Sequence, residues 1–221
     1  MCVSQKIIVF FIATFIFLTN TEAAIRQSAG TGNWNNTTTW IGGVIPASTD
    51  SVFIQNNHVV TIPNLSSNIT RNAAILGDGQ LRILDTMIIN VAINISVDSV
   101  YNSINVGYLI CNQNCTFSGN YFGNEGMIIG LGELIITNGS ILQLSGDSHI
   151  VSGTSTGKLR VQGICNWTGG NISANSNTTG FITVWFDGIL NILHTNNPFL
   201  YNQNISIYGK LIKQTNKISY F

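Results

Sequence analysis

The sequence predicts an all-β chain wound as a solenoid. Three observations carry that expectation: strand-like alternation, punctuation by Gly and Asn, and a repeat of about 25 residues. Alternation with period two runs through stretches such as Ile93-Asn-Ile-Ser-Val97. The repeat shows as Gly-x-Leu at Gly79, Gly107, Gly132, Gly157 and Gly209, with Gly180-Phe-Ile182 filling the long interval. Two residues after each Gly stand Leu81, Leu109, Leu134, Leu159, Ile182 and Leu211. Four after stand Ile83, Cys111, Ile136, Val161 and Val184, and Lys213 interrupts the column. A coil of this length cannot bury its apolar face alone, so coils stack with like residues above like. A β-sandwich also uses short, regularly spaced strands, but gives no reason for one phase to stay aliphatic through successive units.

Composition narrows the class further. Hydrophobic residues make up 44 % of the 221, which excludes a disordered chain. Asn is abundant at 28 residues and Gly at 22, against the composition of a helical bundle. Charged residues are only 8 % and the net charge is zero, so there is no electrostatic basis for binding nucleic acid.

Residues 1–23 read as a cleavable leader. A short segment ending in Lys6 precedes the apolar run Ile7–Leu18, and small residues at Thr21 and Ala23 follow. Twelve residues of helix rise about 18 Å, short of a bilayer core of about 30 Å. No later run reaches membrane-spanning length, so the mature chain is expected to be secreted with no membrane span. Asn-x-Ser/Thr acceptors suit that address at Asn35, Asn36, Asn64, Asn68, Asn94, Asn114, Asn138, Asn166, Asn171, Asn177 and Asn204.

Residues 24–49 differ from the coils and are expected to cap them, since an open solenoid end exposes strand edges and core. The coils then fill residues 50–221. The spacing Trp34, Trp40, Gly42-Gly43, Pro46, Asp50 and Val52-x-Ile54 resembles the opening of secreted right-handed parallel β-helix (pectin-lyase-like) surface proteins. It is similar both to the G8 domain of large cell-surface proteins and to the N-terminal β-helices of bacterial surface adhesins. The resemblance implies a right-handed parallel β-helix with an extracellular structural or ligand-binding role.

Candidate chemistry is sparse. Glycoside hydrolysis needs two carboxylates about 5–9.5 Å apart. None of Asp50, Asp78, Asp85, Asp98, Glu125, Glu133, Asp147 and Asp187 stands two residues from another, and those counted from the coil Gly fall at different phases. His58, His149 and His194 have no second ligand at metal spacing. Gly77-Asp-Gly79 reads as a turn, and Lys210, Lys213 and Lys217 as a solvated edge. No catalytic residue, metal or cofactor is expected. Trp34, Trp40 and Trp185 are the candidates for stacking on a sugar ring, whereas Trp167 is expected in the core, in one column with Phe117 and Leu142.

Of the cysteines after the leader, Cys115 and Cys165 occupy one phase two coils apart. That places their Cα atoms about 10 Å from each other, too far for a disulfide. Cys111 is expected among Ile83, Ile136 and Val161, and a Cys111–Cys115 link is the one alternative pairing. Only half a coil follows Gly209, with no covering unit, which predicts self-association through an open C-terminal end. The expected function is a non-catalytic structural or adhesive protein of the cell surface or extracellular matrix, with glycans or other surface proteins as partners. An extracellular carbohydrate-binding module is the alternative, and a polysaccharide-degrading enzyme ranks third.

Overall fold

The computed structural model describes residues 23–220 except 64–68, 72, 92, 103–107, 124–126, 130–131, 146–147, 152–157, 170, 174–179, 194–198, 202 and 214–218. The expected leader up to residue 22 lies outside the described residues, as do Asn64, Asn68, Asn177, Glu125, Asp147, His194 and Lys217.

The chain is a parallel β-solenoid, and each turn contributes to three faces. Strands of the first two faces form one 16-stranded sheet, bent at a corner, and the third face is a separate sheet of 8 strands. Long strands at Ile93–Asn102 and Cys115–Gly123 run through the corner and make the first two faces continuous. On the first face Val52, Ile75, Ile95, Phe117, Ile136, Val161, Val184 and Ile207 lie one above another, 19 to 25 residues apart. The turn is thus slightly shorter than the glycine spacing suggests.

Alternation selects the interior. Strands such as Glu133–Ile136, Lys158–Val161 and Ile164–Trp167 bury every second residue and leave the others outward. Aliphatic side chains from all three faces fill the bore, each contributing about 1.5–3 kcal/mol of burial against the entropy of ordering its strand. Parallel pairing keeps like above like, and charge enters these columns near the two ends, where buried Arg71 lies beside Ile89 on the third face and Lys213 stands over Ile192 on the second.

The register corrects the columns counted from glycine. Leu134, Leu159 and Ile182 do stack on the first face. Leu81 and Leu211 belong to the second face and Leu109 to the third. Gly-x-Leu recurs because more than one corner needs it. At Gly163, Gly188 and Gly209, which stack on the corner between the first two faces, a Cβ would overlap carbonyl oxygens of the coil beneath. Gly132 meets the same obstacle at the corner before the first face. Trp167 is buried as expected, but opposite Leu144 and Ile192 rather than beneath Phe117 and Leu142.

The thiols move with the columns. Cys115 is on the first face opposite Leu134, and Cys165 is on the second between Leu142 and Leu190. Cys111 is on the third face between Ile89 and Ile129, not among Ile83, Ile136 and Val161. All three are free and buried. The Cys115 thiol shares a side-chain hydrogen bond with Cys111 across the corner, which together with burial pushes it well up. Burial alone pushes the Cys165 thiol up to about 12.

Residues Ile25–Gln27 and Gly32–Asn33 add short strands beneath the first full turn, paired with Ser51–Ile54 and Val59–Ile62. Two 3₁₀ turns, Thr37–Thr39 and Ile41–Gly43, then bring Trp40 back under Trp34. The rings meet edge to face at 5.1 Å, and Trp40 Nε1 donates to the Trp34 carbonyl at 2.7 Å.

Candidate functional site

Outward residues of the first face form a grid across adjacent coils. Glu133, Lys158 and Phe181 make one row, and Ile135, Arg160 and Thr183 the next. One position further along the last strand stands Trp185, and Tyr208 takes the matching position one coil above. The tight corners at Gly188 and Gly209 send the chain round to the second face. Trp185, Phe186 and Tyr208 are left outside, 38 %, 68 % and 58 % exposed. Their ring centroids are 5.6, 6.0 and 5.8 Å apart, a three-membered aromatic cluster.

Arg160 ties the cluster to the grid. Its guanidinium lies 5.3 Å from the Trp185 ring centroid, and its Nε donates to Glu133 Oε1 at 2.9 Å. The two contacts point in opposite directions along one diagonal of the grid and pin the side chain across the sheet. Each is worth about 1 kcal/mol or less at a half-exposed site. Glu133, Lys158, Arg160, Phe181, Thr183 and Trp185 line a shallow cavity of about 380 Å³. Three of these six carry charge in a chain that is 8 % charged, so the patch departs sharply from the rest of the surface.

The other two tryptophans named as stacking candidates are placed differently. Trp34 is 3 % and Trp40 2 % exposed, so neither ring offers a face to a ligand. The Arg71 guanidinium covers Trp34 at 5.1 Å and donates to the carbonyls of Ala47 and Asp50. The Asp50 carboxylate accepts from Ala24 N, Ala47 N and Arg26 Nε at 2.9–3.0 Å. Burial works against its charge, and these bonds together outweigh it, holding Asp50 below the ordinary carboxylate value. Burial pushes Arg71 down to about 10 against the pull of Asp50, so it remains a cation at neutral pH.

Among the described sequons, Asn35, Asn36, Asn94, Asn114, Asn138, Asn171 and Asn204 are exposed. Asn166 is half-buried on the second face, where its amide oxygen accepts from Asn191 Nδ2 at 2.7 Å.

Two further groupings escaped a count of phases. Ser28 Oγ lies 2.8 Å from His58 Nδ1, but Ser28 is fully buried and also accepts from Gln55 N, which makes the pair a structural clasp. Asp78 and Asp98 occupy the same corner of adjacent coils and line a polar groove of about 730 Å³ with Asn57, Gln80, Ser96 and Ser118. Among the described residues no group of three or more His, Cys, Asp or Glu side chains is placed to hold a metal ion. No described helix is long and apolar enough to cross a membrane.

Sequence reasoning named Trp185 and passed over its companions. Phe186 and Tyr208 sit in turns where alternation gives no signal. The pairing of Arg160 with Glu133 needs the true coil register. A spacing of 23 residues from Trp185 to Tyr208 was the available clue.

No family model, curated protein or solved structure matches this chain. What defines it is therefore the fold and the patch: a parallel β-solenoid carrying an aromatic and charged cluster on one outward face.

Proposed function

We propose that this chain is a non-catalytic, secreted adhesive protein of the cell surface or extracellular matrix, and that its adhesive contact is to carbohydrate. The observation that carries the reading is the exposed cluster of Trp185, Phe186 and Tyr208 on a rigid stack of coils. Sugar rings present C–H groups on their faces, which the electron-rich faces of aromatic rings attract, while nearby polar side chains satisfy the hydroxyls. Contiguous exposed apolar groups on an otherwise polar surface mark interaction sites. Aromatic side chains packed on one another just past the ends of paired strands also lose little entropy on binding.

The finer kinship belongs to this proposal as well: right-handed winding, which parallel crossovers almost always follow, and descent from pectin-lyase-like β-helices with a G8-type opening. The leader at residues 1–23 and the exposed sequons support the extracellular address.

The test is a glycan-array screen of the secreted full chain beside Tyr208→Ala. Retained glycans that Tyr208→Ala releases by about tenfold or more, equivalent to about 1.4 kcal/mol, support the reading. An array without a single retained glycan overturns it.

A further inference from the structure

Charge on the patch narrows the ligand. Arg160 uses Nε for Glu133 and its face for Trp185, and its two terminal nitrogens make no hydrogen bond among the described residues. Such a fork, held flat from both sides, matches two oxygens of a carboxylate or sulfate. Lys158 stands two residues earlier on the same strand, exposed and without an ion pair among the described residues. With Glu133 counted, the cavity lining carries one net positive charge.

Several features oppose a peptide as the occupant. Strands on the side of the solenoid are paired on both edges through these coils, so a peptide gains no strand to extend. The cavity is shallow, and four of its six lining side chains, Glu133, Lys158, Arg160 and Thr183, are polar or charged. Recognition here falls to rings, hydroxyls and the guanidinium fork.

On the reading that the patch binds carbohydrate, we infer that it takes an acidic glycan, with a sugar ring against the Trp185–Tyr208 aromatics and an anionic substituent on the terminal nitrogens of Arg160. Lys158 adds attraction for a second charge further along the chain. From Lys158 to Trp185 the diagonal of the grid is about 14 Å, from four residues of strand and one inter-coil step. The site therefore spans an oligosaccharide rather than one sugar. Glu133 is a positioning residue, because its carboxylate has no attraction for an anionic substituent and acts by holding Arg160.

The experiment compares neutral, carboxylated and sulfated oligosaccharides on one array, with the full chain and with Arg160→Gln, Lys158→Gln and Tyr208→Ala. Circular dichroism and thermal melting confirm that each variant is folded. The expected result is retention of acidic glycans, weakened about tenfold by Arg160→Gln and by added salt, with carboxylated and sulfated arms showing which anion is preferred. Neutral glycans held equally by the wild type and Arg160→Gln would overturn the acidic assignment and leave carbohydrate binding standing. Acidic glycans held by the wild type and unaffected by Tyr208→Ala and Arg160→Gln would place binding elsewhere and overturn the site. Failure to retain any glycan overturns both readings. An acidic peptide that displaces the glycan completely, while bound more tightly than any sugar, would reassign the fork to a protein partner.

Discussion

Two regions of this molecule use the same parts for opposite ends. At the N-terminal turn, Trp34 lies beside Trp40 under the guanidinium of Arg71, with the Asp50 carboxylate among its neighbours. At the far end of the first face, Trp185 lies beside Tyr208 and Phe186 under the guanidinium of Arg160, which the Glu133 carboxylate holds. The first set is sealed from water, and the second faces it. In the sealed set the polar groups of Asp50 and the Arg71 terminal nitrogens bond to backbone, so the chemistry is spent on folding. The open set keeps guanidinium nitrogens and ring faces uncommitted. Residue type alone therefore does not separate a clasp from a binding site; whether the leftover donors and ring faces reach water does, since Arg71 Nε is also without a partner but is buried.

Removing a tryptophan from each region gives the largest contrast. Trp40→Ala leaves a cavity beside Trp34 and deletes the bond to its carbonyl, so unfolding free energy should fall by about 3–5 kcal/mol in denaturant titrations. Trp185→Ala should change it by about 1 kcal/mol or less, because much of that ring is already in water. Equal losses would erase the distinction.

Next comes Asp50. Asp50→Asn removes the charge that three donors share, at a cost of about 2–3 kcal/mol near neutral pH. Its folded pKa lies below the ordinary carboxylate value of 3.8, so its contribution is fully present above that value and is lost as pH falls through the lower folded value. Wild-type stability should drop on acidification below about pH 4, and the part due to Asp50 should be missing from Asp50→Asn. An unchanged acid slope in the variant would locate the effect in other carboxylates.

Much of the fold was legible in the residues, because alternation and repeat length are properties that one strand or one coil imposes by itself. The bore, the parallel stacking and the burial of Trp167 follow from them. The faces were harder to read. A corner demands glycine wherever backbone passes over backbone, and this chain meets that demand at more than one corner, as Gly132 and Gly163 show. Leu81, Leu109 and Leu134 thus share a motif while facing into the bore from three directions. The same ambiguity hid the shared corner of Asp78 and Asp98 and the diagonal from Arg160 to Glu133.

Cys165 tests the face assignment directly. It lies in the bore between Leu142 and Leu190, with burial as the sole cause of its raised pKa, so it behaves as a small hydrophobe. Cys165→Ser places a hydroxyl there and should cost about 1–3 kcal/mol. In the native protein the thiol should resist alkylation near neutral pH and react on unfolding. Peptide mapping without reduction should show no Cys115–Cys165 cross-link, since the two lie on different faces. Finding that link would return both residues to one column and undo the register.

The smallest effect belongs to the ion pair of the exposed patch. Arg160→Gln breaks its bond to Glu133, yet the Arg160 side chain is 34 % exposed and water can replace the lost partner. Thermal or denaturant unfolding should register about 1 kcal/mol or less, and the difference should shrink in high salt. Glu133→Gln should behave likewise, and the double variant should show a coupling within the same range. The buried equivalent is different in kind, because the Arg71 nitrogens that meet the Ala47 and Asp50 carbonyls have no water to replace them. If Arg160→Gln instead destabilises the chain by several kcal/mol, the guanidinium is committed to the fold as fully as that of Arg71. The terminal nitrogens would then not be spare, and the contrast between the two ends would collapse.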